Sequence, residues 1–162
     1  MSNQSYKVYG LSGTFFAQNE RTGVIDITDS NFFNVLQYAI ISSDNVIITG
    51  NISHENGNGS NGSCGYYIQD CNHVSCYSNK TFNEGIGSNN NGSGFLLYNI
   101  NKSVIIQGNE IYDNQTTRTM NIGINALNSM TDCNAIYNYI SPSIPYLVFQ
   151  ASYFTNVLGN IT

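Results

Sequence analysis

Glu55, Glu84 and Asp113 are the residues best placed by type and spacing to do chemistry. Glu55 and Asp113 stand four residues after Asn51 and Asn109, and Glu84 stands five after Asn79. If those asparagines mark equivalent points of a repeat stacked at β-strand spacing, carboxylates on adjacent repeats lie about 5 Å apart and on alternate repeats about 10 Å. Those separations bracket the ones used by retaining and inverting glycosidases, where one carboxylic acid protonates the leaving oxygen and a second carboxylate acts as nucleophile or base. The same column could hold calcium, a hard cation that takes carboxylate oxygens; otherwise no cofactor and no metal site is expected. His54 and Arg118 stand nearby as a base or a substrate clamp. Acidic residues and asparagines at tight turns also serve their own backbone amides or face solvent, so a structural role is the competing reading.

The elements that must position these residues are read from a recurring pattern. An apolar strand ends on asparagine five times: Val46-Ile-Ile-Thr-Gly-Asn51, Val74-Ser-Cys-Tyr-Ser-Asn79, Val104-Ile-Ile-Gln-Gly-Asn109, Cys133-Asn-Ala-Ile-Tyr-Asn138 and Thr155-Asn-Val-Leu-Gly-Asn160. The spacings are 28, 30, 29 and 22 residues. A period of that size denotes a solenoid, whose units bury their apolar faces only by stacking on their neighbours. A second strand keeps phase upstream: Tyr38-Ala-Ile40, Tyr66-Tyr-Ile68, Phe95-Leu-Leu97, Ile124-Asn-Ala126 and Tyr146-Leu-Val148. Alternation turns the outer pair of each triplet inward and the middle residue outward. A third short strand carries Ile52, Phe82, Ile111 and Ile140.

These residues resemble the right-handed parallel β-helix repeats of the pectin-lyase-like superfamily, over roughly residues 34 to 162. The expected fold is therefore all-β, a right-handed parallel β-helix solenoid of about five coils, with residues 1–33 as an N-terminal cap or irregular first coil. The resemblance implies that Asn51, Asn79, Asn109, Asn138 and Asn160 form an internal ladder. Asparagine suits that role, since it tolerates a left-handed corner and offers both a donor and an acceptor. For function the resemblance is broad, because the superfamily spans lyases, hydrolases, epimerases, tailspikes and adhesins. The Asn-Thr-Asp, Gly-Asp-Asp, Gly-His-Gly and Arg-Ile-Lys segments of polygalacturonases are absent.

Composition narrows the partners. Charged residues make up 9% of the chain and the net charge is −5, which argues against phosphate backbones and anionic membranes as partners. No apolar run approaches a bilayer span, and the start Met-Ser-Asn-Gln-Ser lacks a signal-peptide core, so an extracellular or virion-surface location implies either that this start is not the natural one or that the protein leaves its cell within an assembled particle. Asn-x-Ser/Thr sequons such as Asn58, Asn61 and Asn91 are expected by chance in so asparagine-rich a chain. Cys71, Cys76 and Cys133 fall at core positions and read as small buried hydrophobes, while Cys64 reads as the exposed or paired one. His73 reads as a turn residue between strands.

Twelve tyrosines and no tryptophan offer a route to carbohydrate, because an aromatic face stacks on sugar while the hydroxyl bonds polar groups. Tyr67 and Tyr77 are expected to point outward and bind substrate with His54 and Arg118. The outward column Ala39, Tyr67, Leu96, Asn125, Leu147 is equally suited to a subunit contact, and the resemblance implies a homotrimer. Two functions follow. One is a carbohydrate-recognising or structural module of a surface or virion assembly, such as a tailspike, fibre or adhesin, whose partner is a polysaccharide or cell-surface glycan. The other is a polysaccharide lyase or glycoside hydrolase using Glu55, Glu84 and Asp113.

Overall fold

The computed structural model describes residues 3–6, 13–18, 24–33, 35–41, 43–56, 64–85, 92–117, 119–128, 132–144, 146–149 and 154–159. All regular structure among them is β-strand, arranged in three sheets. A seven-stranded sheet runs β1 (Asn3–Tyr6), β3 (Val24–Thr28), β6 (Asn45–Thr49), β9 (His73–Tyr77), β12 (Ser103–Gln107), β15 (Asp132–Ile136), β18 (Phe154–Leu158). A six-stranded sheet runs β2 (Gly13–Gln18), β5 (Val35–Ile41), β8 (Cys64–Gln69), β11 (Gly92–Tyr98), β14 (Met120–Leu127), β17 (Tyr146–Phe149). A five-stranded sheet runs β4 (Asn31–Phe33), β7 (Ile52–His54), β10 (Lys80–Phe82), β13 (Glu110–Tyr112), β16 (Tyr139–Ile140). Every strand pairing among the described residues is parallel. From β5 onward the chain visits the six-, seven- and five-stranded sheets in that order and then begins again, an arrangement compatible with a β-helix. Strands β2, β3 and β4 pair with β5, β6 and β7, so the expected boundary at residue 33 falls between paired strands.

Period-two alternation builds the core. In the seven-stranded sheet the columns Ile25, Val46, Val74, Val104, Cys133 and Ile27, Ile48, Cys76, Ile106, Ala135 are in register and buried. The six-stranded sheet contributes Tyr66, Phe95, Ile124 and Ile68, Leu97, Ala126, with the Tyr66 and Phe95 rings stacked at 4.9 Å. Dispersion contacts repeated along such columns hold adjacent strands in one register.

The third sheet departs from the expected phase. Its inward column is Ser53, Thr81, Ile111 and Ile140, whereas Ile52 is 39% exposed and Phe82 is half-buried. Hydrophobicity fails as a guide here because the strands are two or three residues long and two interior positions hold hydroxyls. The last repeat shifts as well: Val148 pairs with Ile124 and Phe149 with Asn125, so Phe149 takes the place expected for Leu147. Strands β13 and β16 keep a 29-residue offset, β14 and β17 keep 24, and β15 and β18 keep 22 beyond Cys133, so most of the shortening falls between β16 and β17.

Asparagines line the corner between the seven- and five-stranded sheets. The Oδ1 atoms of Asn79, Asn109 and Asn138 accept from the backbone N–H of Asn51, Asn79 and Asn109 at 2.9–3.0 Å, and also from the Nδ2 of the same residues at 2.9–3.1 Å. Each Nδ2 donates in addition to a strand carbonyl: Asn51 to Ile27, Asn79 to Ile48, Asn109 to Cys76 and Asn138 to Ile106. Asn160 lies outside the described residues. Ser30, which the sequence pattern missed, holds the preceding position, its N–H donating to Asn51 Oδ1 at 2.9 Å. The left-handed conformation belongs to the residue before Ser30 and before each asparagine: Asp29, Gly50, Ser78, Gly108, Tyr137 and Gly159 have φ between +46° and +68°. At Gly159 a Cβ would also collide with the Tyr137 ring.

Candidate functional site

The acidic residues border the opposite corner, where the five-stranded sheet gives way to the six-stranded one. Glu84 is fully buried in a polar cluster. Its Oε1 accepts from Ser53 Oγ at 2.7 Å, Thr81 Oγ1 at 3.1 Å and Asn56 Nδ2 at 3.3 Å, and its Oε2 accepts from the Asn56 N–H at 2.9 Å. Gly65 makes room for this cluster, since a Cβ there would lie 2.8 Å from the Gly94 carbonyl oxygen and 3.1 Å from Glu84 Oε1. Burial pushes the Glu84 carboxyl up to about 7, although the bonds from Ser53, Asn56 and Thr81 pull the other way.

Asp113 serves a different purpose. Its Oδ1 accepts from the Gln115 N–H at 3.0 Å, and its Oδ2 from the N–H groups of Thr119 and Met120 at 2.7 Å each and from Thr119 Oγ1 at 3.3 Å. The carboxylate therefore ties residue 115 and the start of β14 to the end of β13. Glu55 follows β7 with φ +56° and a 40% exposed side chain, 3.6 Å from His54 Nδ1. The three candidates thus occupy an interior cluster, a backbone cap and a half-exposed position beside His54. His54 Nδ1 and Glu55 Oε2 are the candidate groups brought together among the described residues.

The expected substrate-binding residues are distributed over the sheets. Tyr67 projects from the six-stranded sheet and its hydroxyl donates to Gln69 Oε1, while Gln69 Nε2 donates to Asp70 at 2.9 Å. Partial burial, then Cys64, Tyr98 and Asp70, raise the Tyr67 phenol. Tyr77 belongs to the seven-stranded sheet. His54 belongs to the five-stranded sheet, where its ring stacks on Phe82 and Phe82 stacks on Tyr112, each at 4.8 Å and within 3° of parallel. Lys80 Nζ lies 5.1 Å from the Tyr112 centroid. Arg118 lies outside the described residues, as do Asn58, Asn61 and Asn91. Leu96, expected to be exposed, is half-buried.

Cys64 is buried rather than exposed, and it opens β8 beside Glu84; all four cysteines are free. Burial, followed by the Glu84 charge, raises its thiol, which favours the inert protonated form. Among the described residues no three His, Cys, Asp or Glu side chains are grouped to hold a metal ion. Sequence reading also missed a contact between His73 Nδ1 and Ser103 Oγ at 2.7 Å, residues that pair in register on β9 and β12. Asp132 is Ser103's partner on the far side, so it does not orient the imidazole as a catalytic triad requires. Their positions one repeat apart were the available signal. No helix among the described residues is long and apolar enough to cross a membrane.

Compared with models of protein families, with curated proteins and with solved structures, the chain matches none.

Proposed function

We propose that this chain is a right-handed parallel β-helix solenoid of about five coils, working as a non-catalytic, carbohydrate-recognising or structural module of an extracellular or virion-surface assembly. The observation that carries this reading is the use made of the acidic side chains. Asp113 is saturated by backbone N–H groups and Glu84 by interior donors, which leaves Glu55 as the member of the column that faces solvent. The cyclic order of the three sheets supports the solenoid, and crossovers between parallel strands are overwhelmingly right-handed. The outward side of the six-stranded sheet, with Tyr67 held by Gln69 and with Leu96 and Tyr98 beside it, is the surface assigned to a neutral or amphipathic glycan. Ile47, Ile52, Tyr139 and Leu158 are exposed, and lateral association as a homotrimer would cover such groups.

The alternative, a polysaccharide lyase or glycoside hydrolase, is favoured by one observation: Glu84 is pushed up to about 7, the range of a general acid. A glycan-array and depolymerisation screen, with calcium and with chelator, separates the two. The module is expected to retain glycan without generating new reducing or unsaturated ends, and retention should fall in Tyr67→Ala. Product formation lost in Glu84→Gln or Asp113→Asn would establish the enzyme instead.

A further inference from the structure

The Glu84 cluster is unusual for what it lacks. A fully buried carboxyl is surrounded by neutral groups: Ser53 on β7, Thr81 on β10, and Asn56 between β7 and β8. From β8 it is faced by Cys64, the titratable group whose proton its charge influences, and by the backbone at Gly65. Glu55 and His54 lie nearby in sequence, but they contact each other and Glu55 is turned to solvent. No cation contributes to the Glu84 environment among the described residues. An interior carboxylate without a countercharge is strongly disfavoured relative to its neutral acid.

Hydrogen-bond directions reveal where a proton would go. Ser53 Oγ has one hydrogen but two acceptors within reach, Glu84 Oε1 at 2.7 Å and the Gly65 carbonyl at 3.1 Å, and it accepts from Asn56 Nδ2 at 2.8 Å. With Glu84 ionised, the Ser53 hydrogen goes to the carboxylate and the Gly65 carbonyl loses this donor. With Glu84 protonated on Oε1, the acid donates to Ser53 Oγ and Ser53 donates onward to Gly65. Both partners are then served without an interior charge.

We propose that Glu84, Ser53, Thr81 and Asn56 form an internal proton-binding site that makes the junction of the five- and six-stranded sheets pH-responsive, held in the protonated state and weakened when the proton leaves. The sign follows from the raised folded-state value. The unfolded chain releases this proton near the ordinary carboxylate range and the folded chain near 7, so the contribution is complete below about 4.5. It declines as the pH rises through 7 and is absent above. The folding equilibrium constant should fall by about two orders of magnitude across that window.

Urea unfolding of the full chain at pH 4.5, 6, 7 and 8.5 tests this, with Glu84→Gln as the neutral reference that retains a donor and an acceptor. The wild type should lose about a hundredfold in folding constant relative to Glu84→Gln between the first and last pH. Parallel profiles for the two proteins would overturn the proposal. Should Glu84→Gln fail to fold, NMR titration of the side-chain carboxyls in the wild type decides, since the chain has only four glutamates, Glu20, Glu55, Glu84 and Glu110. A Glu84 midpoint near 7 is the expected result. A midpoint in the ordinary carboxylate range would overturn it. Neither readout depends on glycan binding or turnover.

Discussion

Two corners of the molecule bury polar side chains in opposite ways. At one, Asn51, Asn79, Asn109 and Asn138 repeat a single neutral solution, each amide accepting at Oδ1 and donating at Nδ2. At the other, Asn56 with Glu84 and then Asp113 solve successive repeats differently. An amide carries a donor and an acceptor, so it passes the pattern to the next strand indefinitely. An ionised carboxylate only accepts, so it gathers donors and ends the pattern. Repetition therefore marks scaffold, and the irregular corner is where a charge, a pH response or a site can be accommodated.

The largest expected effect breaks the regular corner. Asn109→Leu removes the acceptor for the Asn79 N–H and the donor to the Cys76 carbonyl, and should destabilise the fold by about 3–5 kcal/mol. Urea unfolding would measure it, and a change under about 1 kcal/mol would deny the asparagines a special role. Next is Gly65→Ala, where a Cβ 2.8 Å from the Gly94 oxygen and 3.1 Å from Glu84 Oε1 should cost about 2–3 kcal/mol. A neutral result would mean that the irregular corner relaxes more readily than its packing implies.

Asp113→Asn leaves one side-chain oxygen for the N–H groups of Gln115, Thr119 and Met120, and should cost about 1–2 kcal/mol by thermal unfolding, with glycan retention unchanged. A selective loss of depolymerising activity with intact stability would move Asp113 from backbone cap to chemistry. The smallest effect is expected outside both corners. Lys80 and Glu110 are 3.3 Å apart with side chains 38% and 47% exposed, so Lys80→Ala should change stability by no more than about 0.5 kcal/mol.

What could be read in advance depended on whether a residue type and its burial agreed. The columns through Val46, Val74 and Val104 and through Cys76 and Ala135 were legible because small apolar residues recur there at strand phase. The Ser53 and Thr81 positions were not, because their burial is made tolerable by a glutamate roughly thirty residues away in one case and three in the other. Cys64 was misplaced for the same reason, its neighbours being identified only once β8 is paired. Glu55, Glu84 and Asp113 follow β7, β10 and β13 in turn, but the direction of each side chain was not visible in their spacing.

The sequence by itself determined the repeat, its length near 29 residues in the middle of the chain, and the inward faces of two sheets. Identical residues at identical phase are local information, and alternation turns them into faces. Only the tertiary structure decided that the left-handed turn belongs to the residue before each asparagine, that Ser30 precedes the row, and that Glu84 turns inward while Glu55 turns out. Those outcomes depend on which donors from neighbouring strands reach a given oxygen, and that is fixed by the register between segments distant in sequence.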